Sequence, residues 1–133
     1  MKEQVVKPAL TTAQKKALRE ERSKSPADLR ATFDTAFDAW RSTWFSGGLA
    51  MSSDPGSRAV GKEFDTLIAM GPAILPLVVE KLADPESFMA LQLYDAIQPD
   101  EHLIVQYGPE DERILEGEQG RARRVIQTWL TNR

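Results

Sequence analysis

The chain contains no cysteine and a single histidine, His102. Without cysteine there is no disulfide framework and no thiolate metal site. A zinc site would have to rest on carboxylates and His102. No apolar run approaches the ~20 residues that span a bilayer, so no membrane partner is expected. The opening MKEQVVKPALTTAQKK carries basic residues but no apolar stretch behind them, unlike a secretory leader. A soluble chain in a reducing, cytoplasmic interior fits these absences. The glycine patterns that grip phosphates, G-x-G-x-x-G and G-x-x-x-x-G-K-S/T, are both missing. No cofactor is therefore expected. Strict apolar–polar alternation never lasts more than a few residues, which argues against strands with one wet face.

At 133 residues the chain is most simply one domain. A domain of this length buries about two-thirds of the surface its unfolded chain exposes, enough for a core without staples. Charge is uneven along it. Residues 1–24 hold seven Lys/Arg and three Glu, residues 25–112 hold five basic and fifteen acidic residues, and residues 113–133 hold five basic and two acidic. The segment charges of +4, −10 and +3 give the total of −3. An acidic middle argues against a nucleic-acid platform, which needs a basic face. The plainer role for the basic ends is to lie over the acidic body; the sharper one is to engage a partner.

The chain divides into a basic arm over 1–24, partly helical or mobile, and a helical domain over 25–133. In the arm, residues 12–24 have helical character with Thr11 or Thr12 as cap, but only Ala13, Ala17 and Leu18 offer apolar contact. Ser25-Pro26-Ala27-Asp28 is a strong helix start, with Ser25 as cap, Pro26 at the first position and Asp28 at the positive helix end. In the helix that follows, Leu29, Phe33, Phe37, Trp40 and Trp44 fall within an arc of about 80°. Gly47-Gly48 is its expected end. Residues 46–57, SGGLAMSSDPGS, read as a mobile loop near the upper end of ordinary lengths.

A helix over about 57–70 sets Val60, Phe64, Leu67 and Ile68 on one face. Gly71 suits the position that stops it, and Pro72 prevents its continuation. The next helix carries Ile74, Leu75, Leu77, Val78, Val79 and Leu82. Asp84-Pro85-Glu86 repeats the cap logic for a helix to about Ile97, which is apolar nearly all round. His102 to Val105 fits either a short helical turn or a strand. Over roughly 118–131, Ala122, Val125, Ile126, Trp129 and Leu130 form an apolar face. The pattern predicts an all-α, single-domain antiparallel bundle of about six or seven helices.

Ala69, Gly71, Ile74, Leu77 and Leu82, followed by Asp84-Pro85, give residues 67–97 a form that resembles a HEAT-like helical repeat. The resemblance implies antiparallel helices stacked across tight turns, protein–protein binding on a helical surface, and no shared catalytic residues.

Several clusters invite a chemical reading, each beside a plainer one. Asp34 and Asp38 stand one turn apart, as a metal or acid–base pair would, but Arg30 and Arg41 are spaced to pair with them. Asp100, Glu101 and His102 form the one carboxylate–imidazole group, although neighbours in sequence seldom point the same way. Arg121, Arg123 and Arg124 suit a phosphate or carboxylate, or a solvated face. Trp40, Trp44 and Trp129 are either core or binding anchors. The leading expectation is a non-catalytic interaction or scaffolding domain that binds another protein or its own copy. The interface candidates are Trp40, Trp44, Phe88, Met89, Tyr94 and Trp129. The alternative is a small helical enzyme or small-molecule binder with an aromatic-lined cavity between the 29–44 helix and the last helix.

Overall fold

The computed structural model of the chain describes residues 10–44, 61–84, 87, 89–105, 107, 110–112, 115 and 117–132. Among them every regular element is helical. The six α-helices are α1 (Thr12–Ser23), α2 (Ala27–Arg41), α3 (Lys62–Met70), α4 (Leu75–Lys81), α5 (Ala90–Ile97) and α6 (Gly117–Asn132). Short 3₁₀ turns cover Gly71–Ile74 and Glu101–Leu103. The expected all-α bundle is present; the α-helices among the described residues lie at the low end of the expected number. The undecided stretch at 102–105 includes a helical turn.

Local chemistry sets the starts. At α1 the Gln14 backbone N–H donates to the Thr11 hydroxyl and the Thr11 N–H donates to the Gln14 side chain, each at 3.0 Å. This reciprocal box satisfies two donors that the first helical turn leaves open. At α2 the cap position falls on Pro26, one residue later than expected, and no side chain caps it. The Pro26 carbonyl opens the helix by accepting from Arg30 N–H at 3.0 Å. Regular helix stops at Arg41, well before Gly47-Gly48, which lie outside the described residues. Turn hydrogen bonds still carry Trp44 inward: Thr43 N–H donates to Trp40 O at 2.9 Å and Trp44 N–H to Arg41 O at 3.1 Å. The loop expected at 46–57, Val60 and residues 1–9 of the arm also lie outside the described residues.

Gly71 ends α3 with φ +71° and ψ −168°. That backbone region is essentially restricted to glycine. A methyl group there would meet nothing within 4 Å, so the requirement is conformational rather than spatial. The chain then turns through Gly71–Ile74 into α4, where Pro76 sits in the first turn and forfeits no helical hydrogen bond. The α5 helix begins only at Ala90, later than Asp84-Pro85 suggests. Asp84 instead accepts on its carbonyl from Ser87 N–H at 2.9 Å and on its carboxylate from the Ser87 hydroxyl at 3.3 Å.

The core centres on α4, which touches α1, α5 and α6. Leu75, Leu77, Val78 and Val79 of α4 are buried, as is Leu82 just past its end. Fully burying one such side chain contributes about 1.5–3 kcal/mol. The same buried cluster takes in Leu18 of α1, Phe33, Phe37 and Trp40 of α2, Phe64 and Leu67 of α3, Leu91 and Leu93 of α5, and Ala122, Val125 and Ile126 of α6. Leu18 is only 2 % exposed, so α1 is seated against α4 despite its small apolar content.

Because only glycine readily takes the Gly71 backbone angles, Gly71→Ala is expected to cost about 1–3 kcal/mol. Urea unfolding followed by circular dichroism measures it. An unchanged midpoint would show that the α3–α4 turn does not need this geometry.

Candidate functional site

The aromatic stripe of α2 is folded onto itself. Trp40 and Trp44 meet edge to face at 5.0 Å between centroids, and Phe37 lies edge-on to Trp44 at 5.9 Å. Phe64 of α3 closes on Trp40 at 5.2 Å. Trp40 and Trp44 are 0 % and 1 % exposed. Such arrangements add about 0.5–1.5 kcal/mol per pair beyond area burial. Met89 is buried as well. Trp129 is half-buried against the core, and its indole N–H has no hydrogen-bond partner among the described residues. Phe88 lies outside the described residues. The structure thus joins Trp40 and Trp44 in one cluster with Phe37 and Phe64, and sets Met89 and Tyr94 within the same core.

Tyr94 is buried to 0 % but keeps its hydroxyl paired. The hydroxyl donates to Leu103 O at 2.7 Å and accepts from the Gln98 amide at 3.2 Å. Burial, aided by the nearby Asp95 and Asp100 charges, pushes its pKa above the usual value against the opposing Gln98 contact. Arg121 of α6 reaches Asp95 of α5 at 3.0 Å and Val105 O at 3.2 Å, clamping the chain that leaves α5. Arg123 turns elsewhere, to Ala83 O at 3.4 Å. The arginine cluster of the last helix is therefore divided between structural partners.

The carboxylate–imidazole triplet has a local role. Asp100 accepts from the backbone N–H of His102 at 2.9 Å, the mark of an Asx turn rather than a carboxylate orienting an imidazole. Asp34 does not pair along its own helix as its spacing suggests. It accepts two hydrogen bonds from Arg22 of α1, at 2.6 and 3.3 Å, and stands 3.6 Å from Lys81 of α4. Arg22 also approaches Glu80 at 3.8 Å. These four side chains tie three helices together. Sequence spacing offers no signal for this network, because it depends on how the turn at 24–26 folds α1 back. Among the described residues no group of three His, Asp or Glu side chains is placed to hold a metal.

An open cleft of about 430 Å³ lies beside this network. Lys15 and Arg19 of α1 stand on one side, Lys81 and Asp84 on the other, with Arg41 from the end of α2. Leu18 and Ala83 give it an apolar floor. Arg41 lies 3.7 Å from Asp84, and Lys81 lies 5.3 Å over the Phe37 ring. Lys15 and Arg19, four residues apart around Leu18, were visible in the sequence as a pair of cations on one helix face. A second, shallower groove of about 510 Å³ is lined by Ala31, Thr32, Thr35, Ala39 and Thr66, with no ionisable group. Neither depression brings together a nucleophile, a base and an orienting partner, the geometry that catalysis requires.

No protein-family model, no curated protein and no solved structure matches the chain. No helix among the described residues is long and apolar enough to cross a membrane.

Desolvation raises the Asp34 pKa, but the Arg22 hydrogen bond and the Lys81 and Arg22 charges outweigh it and hold the carboxyl below its ordinary value. A carboxyl with a lowered folded-state pKa stabilises fully above the unfolded value near 4 and loses that contribution as pH falls through the folded value. Because the pair is partly exposed, Asp34→Asn is expected to cost about 1 kcal/mol at pH 7. The gap to the unaltered chain should close below about pH 4. Urea midpoints across pH 2–7 test this; a gap that persists at pH 2 would assign the loss to packing instead.

Proposed function

We propose that this chain is a small helical binding domain that works without chemistry, engaging another protein or a second copy of itself across its helical surface. One observation carries the reading. Trp40, Trp44 and Tyr94 are spent on the interior, and two depressions on the described surface are open and lack converging acid–base groups. Enclosed sites for small molecules are concave, mostly apolar and equipped with a few aimed polar groups. An open cleft with an apolar floor and a charged rim suits a segment of polypeptide instead.

The HEAT-like character of residues 67–97 belongs to the same proposal. It is supported by the consecutive packing of α4 on the 3₁₀ turn before it and on α5 after it. A cytoplasmic location belongs to the same proposal; a chain without cysteine fits a reducing interior.

The test is to immobilise the chain, identify what it retains from cell extract, and rebuild any complex from purified components in sedimentation velocity. A defined stoichiometric complex, the chain with itself included, is the expected result. Monomer under all conditions would overturn the reading when combined with a metabolite that raises the melting temperature through Trp44. That dependence is read in Trp44→Phe, which keeps the core filled.

A further inference from the structure

We propose that α1 is an exchangeable element: it leaves its own copy and docks on α2 and α4 of a second copy, whose own α1 returns the contact. This rests on the reading of the chain as a binding domain and names how a second copy is engaged.

What fits the seat is already in place, because α1 lies on it. The chief packing partners of α1 are α4 and α6, not α2, the helix to which it is joined. Its apolar hold is narrow. Leu18 is sunk to 2 % exposure, and Leu10 just ahead of the helix is buried too. The rest of the hold is charge. Arg22 donates to both carboxylate oxygens of Asp34, at 2.6 and 3.3 Å, and stands 3.8 Å from Glu80. A helix of twelve residues is marginal in water on its own. Once detached, α1 therefore needs a seat, and the seat on a second copy is identical to its own.

The connection to α2 is built to open. It is Lys24-Ser25-Pro26, closed by two turn bonds: Lys24 N–H donates to Glu21 O at 3.2 Å and Ser25 N–H to Arg22 O at 3.1 Å. Pro26 is extended, with φ −57° and ψ 144°, and no side chain caps the helix it opens. Proline disfavours helical backbone in the residue before it and cannot lie inside a straight helix. An opened hinge therefore stays extended at Ser25 and sends α1 away from α2 instead of fusing the two. Opening gives up the two turn bonds, and docking on the second copy rebuilds the contacts of Leu18 and Arg22. Exchange of an identical element is a low-cost route to a dimer, and reciprocal exchange closes at two copies.

A short flexible link holds α1 near its own seat at an effective concentration on the order of 1 mM. The closed monomer prevails in dilute solution, and the exchanged dimer appears as the chain concentration nears that value. Hinge length sets the balance. A link too short to turn back leaves only the second copy's seat within reach, and a longer one relaxes the closed form.

Sedimentation velocity of the full chain and two hinge variants is the test. Deletion of Lys24 and Ser25 should lower the dimerisation midpoint by about 100-fold or more. Insertion of Gly-Ser-Gly-Ser after Ser25 should leave monomer at the concentrations where the native chain dimerises. A midpoint indifferent to hinge length overturns the inference, because a dimer formed through an ordinary surface does not sense the link. A charge exchange gives the second arm. Arg22→Asp sets like charges at the seat, and so does Asp34→Arg. Mixed in equal amounts, the two variants should form a 1:1 heterodimer by native mass spectrometry. In it the altered α1 meets the altered seat and the native α1 meets the native seat. Variants that keep their helix content by circular dichroism yet stay monomeric in the mixture overturn the inference. If they lose helix content, the hinge variants alone decide. If the exchange fails but the monomer still forms a defined complex with a different protein, the binding-domain reading stands and only this mode of self-association falls.

Discussion

The structure depends on the burial of α4. This helix is only two turns long, and an isolated helix of that length does not hold in water. Its stability comes from its neighbours: α1, α5 and α6 lean on it, and Leu75, Leu77, Val78 and Val79 face them on every side. A helix that is apolar all round can exist only where other elements cover it. The rest of the chain can be understood as that cover. Gly71 lets the chain turn into α4, Pro76 is tolerated because it falls in the first turn, and Glu80 and Lys81 at the far end carry the first charges to reach the surface.

Charge then organises what the core leaves outside. Asp34, Arg22, Glu80 and Lys81 join α1, α2 and α4 where their apolar contacts run out. Arg121 does similar work at the other end, joining α5 to the chain that leads on from it. Interior contacts contribute far more than these partly exposed pairs, which individually contribute about 1 kcal/mol or less. The pairs decide orientation: they fix how α1 lies over α4 and so shape the cleft between them. The open cleft between α1 and α4 is thereby a by-product of how the helices are tied together.

Much of this was legible in the residues. The stripe Leu29, Phe33, Phe37, Trp40 and Trp44 reads as helical from spacing alone, and all of it but the partly buried Leu29 lies in the core. Gly71-Pro72 announces its turn, and Ile74 to Leu82 announces a buried helix. The tertiary half was not legible. Leu18 looks too isolated to anchor α1, yet its seat on α4 makes it one of the most buried residues. Asp34 has well-spaced partners on its own helix and chooses Arg22, twelve residues away, because the turn at 24–26 brings α1 alongside. Asp84 looks like a helix cap and instead closes a turn on Ser87. In each case local spacing described what a residue can do, and the packing of α1 and α4 decided what it does.

Residue-resolved hydrogen exchange tests the central position of α4 most directly. If α4 is the buried hub, the backbone amides of Val78, Val79 and Leu82 should exchange only through global unfolding and share its free energy. The ends of α1 and α6 should exchange through smaller, local openings. Rapid exchange along α4 under native conditions, with α2 or α6 protected instead, would contradict the account.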